Sequence, residues 1–202
     1  MLRSLASSAI VIGAMTCATF GVLIQTIIGK INGMATKLIH IFLLSLSNTP
    51  IVTNPSALVL QLANIMKEVN KLKDFIYGYK LTALWSTNDY DKTDCEFLDE
   101  RFSVDDFDND ARKAIESDCL KFITSNKDDL ETYSDSITYN IHESLSAWEV
   151  AGHDFWLTRN GHGAGFWDRL GLDETIGKRL SDSSRAFGEC NIYVNDQQTL
   201  SI

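Results

Sequence analysis

Proline, basic charge and clustered cysteine are all scarce in this sequence. Two prolines among 202 residues exclude a collagen-like chain and a proline-rich linker protein. Lys and Arg number 18 against 27 Asp and Glu, and the net charge of −9 argues against a protein that binds nucleic acid through a basic surface. The four cysteines show neither zinc-site nor redox spacing, so the sequence favours reduced thiols in a cytoplasmic setting.

Acidic residues are also nearly absent from the first 75 positions. Only Glu68 and Asp74 occur there, beside six Lys and Arg, whereas residues 76–202 carry 12 basic and 25 acidic residues. Such asymmetry indicates segments with different surroundings. The sequence therefore predicts a hydrophobic lead at 1–55, an amphipathic bridging helix at 56–79 and an acidic globular domain at 80–202.

The lead contains an uncharged run from residue 4 to residue 29. Its length suffices for a helix across a bilayer, although it includes three Gly and seven Ser, Thr or Gln. Three interpretations stay open: a membrane anchor, a cleaved secretory signal, and an extension read through from an upstream start codon. The protein is accordingly expected in the cytoplasm, or anchored to a membrane by residues 4–29.

Apolar residues recur at spacings of three and four along the bridging helix. They form a seam of seven residues: Leu58, Leu62, Ile65, Val69, Leu72, Ile76 and Tyr79. The pattern predicts one long amphipathic helix that packs on its own domain, and Gly78 weakens its end. A coiled coil between chains, and therefore an oligomer, is the alternative.

The acidic domain is predicted to be α+β: mostly helical, with a C-terminal β-hairpin. Ser103 and Asp106 resemble a capping box and predict a helix that begins there. Two further amphipathic helices are predicted at 144–159 and 173–187, and Asn160-Gly161 is a natural left-handed stop for the first of them. Residues 192–194 and 199–201 flank a turn and predict the hairpin.

Chemistry-bearing residues are concentrated at 151–169, which read AGHDFWLTRNGHGAGFWDR and hold two of the four His and two of the four Trp. The candidate catalytic residues are His153, Asp154, His162 and Asp168. The candidate binding residues are Trp156, Arg159, Asn160, Gly161, Gly163, Gly165, Trp167 and Arg169.

Several uses of this block are chemically possible. His153, His162 and Asp168 have the ligand chemistry of a metal site, although their spacing matches no common motif. An acid–base pair of His153 with Asp154 or Asp168 requires only proximity and a cleft. The three glycines suit a tight turn better than a phosphate loop, because a helix is predicted to precede them. The alternative is purely structural, with ion pairs around the turn, and no cofactor is identified.

The block closely resembles one found in small acidic proteins of tailed bacteriophages and prophages, a family without an assigned function. The flanks are similar as well: Leu81-Thr82-Ala83-Leu84-Trp85-Ser86 precedes the block, and Phe187-Gly188-Glu189 with Ile192-Tyr193-Val194 follows it. The resemblance covers residues 75–202 and does not extend to residues 1–65. It implies a phage or mobile-element origin and implies no reaction chemistry.

A binding function is therefore expected, as a small phage-derived accessory protein with a host or phage protein as its partner. One alternative is a metal-assisted or acid–base hydrolase that uses the His and Asp cluster at 153–168. A second is an acidic mimic of nucleic acid, in which carboxylates replace phosphates. Direct nucleic-acid binding through exposed aromatic rings is disfavoured by the excess of acidic residues.

Overall fold

A computed structural model describes residues 55–89, 97–137 and 145–202. The chain divides into two compact units, residues 1–69 and 70–202, so the boundary falls inside the first helix. The uncharged run at 4–29 lies outside the described residues, and its membrane and signal interpretations stay predictions. Within the described part of the chain, no helix combines the length and apolar character needed to span a bilayer.

Five α-helices and a two-stranded hairpin make up most of the described residues. The helices are α1 (Pro55–Ser86), α2 (Asn109–Ser125), α3 (Lys127–Ser136), α4 (Ala147–Arg159) and α5 (Glu174–Arg185), with short 3₁₀ helices at Leu98–Glu100 and Phe166–Asp168. Strands β1 (Tyr193–Val194) and β2 (Leu200–Ser201) pair antiparallel, with Tyr193 opposite Ser201. The predicted α+β class, mostly helical with a C-terminal hairpin, is confirmed for this part of the chain.

Side-chain caps set where α4 and α2 begin. Ser146 accepts a hydrogen bond from the backbone N–H of Glu149, whose carboxylate accepts one from Ser146 in return, so α4 starts with a capping box. The predicted start of α2 at Ser103 is wrong. Residues 106 and 108 instead exchange backbone hydrogen bonds with Leu200 of β2, which keeps them extended, and Asp108 then caps the helix.

Helix α3 was not predicted from the sequence. Its buried apolar residues are only Leu130 and Tyr133, in a segment otherwise rich in polar residues. Two apolar positions three apart are too few to establish a helical period, so tertiary contacts rather than the local pattern define this element.

Helices α1 and α4 approach each other very closely through a pair of glycines. A Cβ atom on Gly78 would lie 1.9 Å from the carbonyl oxygen of Glu149, and one on Gly152 would lie 1.9 Å from that of Phe75. Neither position can hold a side chain without moving a backbone, so the pair fixes how the two helices cross.

The aromatic core lies beside this crossing. The rings of Phe122 and Phe155 stack with centroids 4.2 Å apart, and the Phe75 ring contacts both. From the predicted seam, Leu72, Ile76 and Tyr79 are buried, as expected for a helix that packs on its own domain. The side chains of Leu58 and Leu62 are outside those described, and the coiled coil between chains stays a prediction.

Candidate functional site

A buried carboxylate lies at the centre of the candidate site. Asp154, on α4, is completely buried, and its carboxylate accepts hydrogen bonds from the Tyr133 hydroxyl at 2.6 Å and from Arg169 Nε at 2.7 Å. Arg169 Nη2 donates to the other carboxylate oxygen, so the pair is bidentate. Helix α4, helix α3 and the segment after the glycine turn are thereby joined at one charged group.

The charge network holds Asp154 ionised. Burial raises the pKa of its carboxyl, but hydrogen bonds from Arg169 and His153 outweigh burial, so the pKa lies below its usual value. Burial, together with the charge of Asp154, raises the pKa of the Tyr133 hydroxyl, which therefore stays a donor. Tyr133 and Arg169 therefore both donate to the buried carboxylate of Asp154, and the three side chains form one hydrogen-bonded network.

His153 connects this network to the surface. Its Nδ1 atom lies 3.2 Å from the second oxygen of Asp154 and 3.5 Å from Arg169 Nη2. About a quarter of the imidazole is exposed, and the half-exposed ring of Trp85 lies beside it with centroids 5.6 Å apart. We call His153, Asp154, Tyr133 and Arg169 the Asp154 network.

The other two candidate catalytic residues lie elsewhere. His162 is exposed just beyond the end of α4, and Asp168 accepts a hydrogen bond from the backbone N–H of Gly165 at 2.9 Å. The structure brings His153 and Asp154 together but does not gather His153, His162 and Asp168. Across the described residues, no group of three or more His, Cys, Asp or Glu side chains is arranged to hold a metal ion.

Three candidate binding residues contribute to the interior instead. Trp156 is buried and donates its indole N–H to Ser86 at 2.8 Å. Arg159 is buried too, and it donates to the Tyr79 hydroxyl at 2.9 Å and to Asp118 at 3.1 Å. The side-chain oxygen of Asn160 accepts the backbone N–H of Cys190 at 2.8 Å. These contacts tie the C-terminal end of α4 to α1, α2 and the chain before the hairpin.

The glycines of the block allow a tight turn. Gly161 adopts a φ of 69° directly after α4, which confirms the predicted left-handed stop. At Gly165 a Cβ atom would meet the Thr158 hydroxyl oxygen at 2.2 Å, so the returning chain passes directly against α4. Gly163 has open space around it and serves no comparable contact.

Beyond the turn, residues 165–173 present two large apolar side chains to solvent. Trp167 is 53% exposed and Leu170 is 76% exposed. Two neighbouring residues anchor the segment to the domain: Phe166 is buried, and Arg169 binds Asp154. We call residues 165–173 the exposed segment.

An open cleft of about 290 Å³ adjoins the exposed segment. Its lining includes Trp167, Arg169 and Leu170 of the exposed segment and Gly177 of α5. Three exposed carboxylates belong to the same lining: Asp168, Asp173 and Glu174. The cleft is therefore lined by both apolar and acidic side chains.

Sequence reasoning missed Tyr133, Trp85 and Leu170 as parts of the site. Tyr133 lies 21 residues from Asp154 in sequence and on the helix that was not predicted. Trp85 stood out only through the resemblance of its flank, and Leu170 falls one position beyond the block. No signal along the chain indicates that these three meet the block in space.

Comparisons with protein-family models, with curated proteins and with solved structures found no match to this chain.

Proposed function

We infer that this protein acts by binding a protein partner through the exposed segment. The observation that carries this inference is the pair Trp167 and Leu170, which are 53% and 76% exposed on a segment anchored by the buried Phe166 and by the contact of Arg169 with Asp154. Large exposed apolar side chains on a rigid support are typical of interaction surfaces, and Trp is enriched among residues that dominate binding energy. Rigidity matters because little conformational entropy is then lost on binding.

The expected partner has an apolar pocket on a basic surface. Trp167 and Leu170 supply the apolar contact, and the exposed carboxylates of Asp168, Asp173 and Glu174 line the same cleft. Residues 76–202 contain 25 acidic and 12 basic residues, and this negative charge would also raise the rate of association with a basic protein at low salt. The proposed role as an accessory protein of phage origin, with a host or phage partner, rests on the resemblance of residues 75–202 alone.

The nucleic-acid mimic is less well supported than this surface. A mimic needs exposed carboxylates that are free to replace phosphates. Many carboxylates here are paired within the chain instead: Asp118 with Arg159, Asp129 with Arg179, Asp154 with Arg169, and Asp182 with Lys178.

Acid–base catalysis by His153 is the second candidate function. The observation in its favour is the 3.2 Å contact between His153 Nδ1 and the buried Asp154, which orients a partly exposed imidazole. The proposal would be supported if the unmodified chain hydrolyses p-nitrophenyl acetate or p-nitrophenyl phosphate and the His153→Gln variant does not. Equal rates for the two proteins would remove that support.

Differential capture from a bacterial lysate tests the proposed binding surface. The full chain and the double variant Trp167→Ser, Leu170→Ser would be immobilised, with Tyr77→Ser as the matched control. Tyr77 is 43% exposed on α1, away from the exposed segment in sequence. Proteins retained by the unmodified chain and by Tyr77→Ser should be lost from the double variant, and retention should weaken at high salt without disappearing.

One further control is needed to interpret the capture result. Circular dichroism must show that the double variant keeps its helices, so that a loss reflects the surface and not unfolding. If the double variant retains the same proteins as the unmodified chain, or if no protein is retained at either salt concentration, the proposed function is wrong.

A further inference from the structure

The Asp154 network leaves unused hydrogen-bonding groups at its outer edge. Arg169 donates hydrogen bonds from Nε and Nη2 to Asp154, and about a quarter of its side chain remains exposed. Among the described residues, neither Arg169 Nη1 nor His153 Nε2 has a hydrogen-bond partner. The two groups that reach solvent are thus a fixed guanidinium and an imidazole.

These two groups are close enough to act on one ligand. Arg169 Nη2 lies 3.5 Å from His153 Nδ1, and each of the two side chains is about a quarter exposed, so they are neighbours at the surface. The bidentate contact with Asp154 holds the guanidinium plane, and the Trp85 ring lies beside the imidazole with centroids 5.6 Å apart. A planar ring at this place can also contact an aromatic ligand.

Protonation decides whether the imidazole can donate to a ligand. With Asp154 ionised at 3.2 Å, the neutral imidazole carries its proton on Nδ1, and Nε2 is then an acceptor. Once His153 is protonated, Nε2 donates as well. Among the described residues, the charged groups that contact the ring are Asp154 on α4 and Arg169 on the exposed segment. Tyr133 on α3 is linked to the ring through Asp154, and Trp85 of α1 adds no charge.

We propose that His153 and Arg169 form a binding site for an oxyanion, which is occupied when His153 is protonated. The ligand class is a sulfate, phosphate or carboxylate group, and an aromatic ring attached to it would lie against Trp85. Arg169 also lines the cleft beside Trp167 and Leu170. Neither of those two side chains belongs to the oxyanion site, so either proposal can fail without the other.

Sulfate is the first probe, because it does not titrate between pH 5.5 and pH 7.5. The full chain, labelled with ¹³C in its histidine rings, would be titrated with sodium sulfate against sodium chloride of equal ionic strength. The ring signal of His153 should shift with saturation, and sulfate should bind more tightly at pH 5.5 than at pH 7.5, because protonation adds a positive charge and a second donor to the ring.

Variants separate this site from general ionic effects. His153→Gln should abolish the pH dependence of sulfate binding, whereas His162→Gln, which removes an exposed histidine of the same block, should leave it unchanged. Arg169→Lys keeps a cation for Asp154 but removes the fork, and should weaken binding by about tenfold. Trp167→Ser should have no effect.

A comparison of benzoate with acetate tests whether an aromatic ring attached to the oxyanion contacts Trp85. Benzoate should bind more tightly than acetate, and Trp85→Ala should remove that difference while leaving sulfate binding intact. The proposal is overturned if the His153 signal does not saturate, if His153 and His162 respond to sulfate with the same apparent affinity, or if His153→Gln keeps the pH dependence.

Discussion

Asp154 is the residue on which the candidate site depends most. It is fully buried with a negative charge, and three side chains from three parts of the chain donate to it. Because an unpaired buried charge is strongly unfavourable, these partners cannot be removed singly without loss of stability. The sequence pointed to Asp154 as a catalytic carboxylate, and its neighbours show that it also joins α3, α4 and the exposed segment.

Replacing Asp154 by Asn should lower the free energy of unfolding by about 3 kcal/mol, because Arg169 and Tyr133 would lose a charged acceptor. Urea unfolding followed by tryptophan fluorescence would measure the change. Asp99→Asn is the control, since Asp99 is exposed and should change stability by less than about 0.5 kcal/mol. Equal effects of the two substitutions would show that the network contributes little.

The same pair of proteins should differ in acid sensitivity. The pKa of Asp154 is lower in the folded chain than in the unfolded one, so its stabilising effect is complete above about pH 4 and is lost as the pH falls through the folded pKa. The gap in unfolding free energy between the unmodified chain and Asp154→Asn should therefore narrow on acidification. A gap that stays constant down to pH 2 would contradict the lowered pKa.

At the scale of the elements, the glycine pair between α1 and α4 sets the geometry. Gly78 looks like a defect in the apolar seam when only its own helix is considered. The packing of α4 explains why this position is a glycine: the backbone of Glu149 occupies the space that a side chain would need. Spacing along a chain predicts which face of a helix is buried, but it does not predict how closely the facing backbone approaches.

Gly78→Ala and Gly152→Ala should each lower the unfolding free energy by about 3 kcal/mol. An overpacked backbone contact outweighs the gain of up to about 1 kcal/mol in helix propensity. Gly163→Ala is the matched control from the same chain, because no atom lies within 4 Å of the Cβ that it would add. Thermal unfolding by circular dichroism would rank the three, and a Gly152→Ala protein as stable as Gly163→Ala would disprove the close crossing.

The hairpin and the start of α2 show how much of the fold local sequence patterns predict. The two short segments that flank a turn predicted the hairpin correctly at 192–201, because this signal is local. The start of α2 was placed too early, because the backbone at 106 and 108 hydrogen-bonds to Leu200, far along the chain. The Asp154 network was out of reach for the same reason: it depends on pairs that are 15 and 21 residues apart.

At the scale of the whole molecule, the C-terminal unit is expected to fold without the lead. All four tryptophans lie in residues 70–202, and Trp148 and Trp156 are buried there. A fragment that begins at Met66 should be soluble and should unfold cooperatively, with the fluorescence of buried tryptophan. A molten or insoluble fragment would mean that residues before Met66 supply part of the core.

Fractionation of cells would complete that comparison. If the full chain partitions to membranes while the Met66 fragment stays in solution, residues 4–29 are better explained as a membrane anchor than as an extension read through from an upstream start codon. If both stay in solution, the anchor interpretation fails.

Site-specific photo-crosslinking tests the proposed binding surface most directly. A photoreactive phenylalanine analogue would replace either Trp167 or Tyr77 in the full chain, and the proteins joined to it under ultraviolet light would be identified by mass spectrometry. Both positions are exposed aromatic residues, at 53% and 43%. Position 167 should yield a discrete crosslinked protein that position 77 does not yield. Crosslinks to the same proteins from both positions, or none from position 167, would contradict partner binding through the exposed segment.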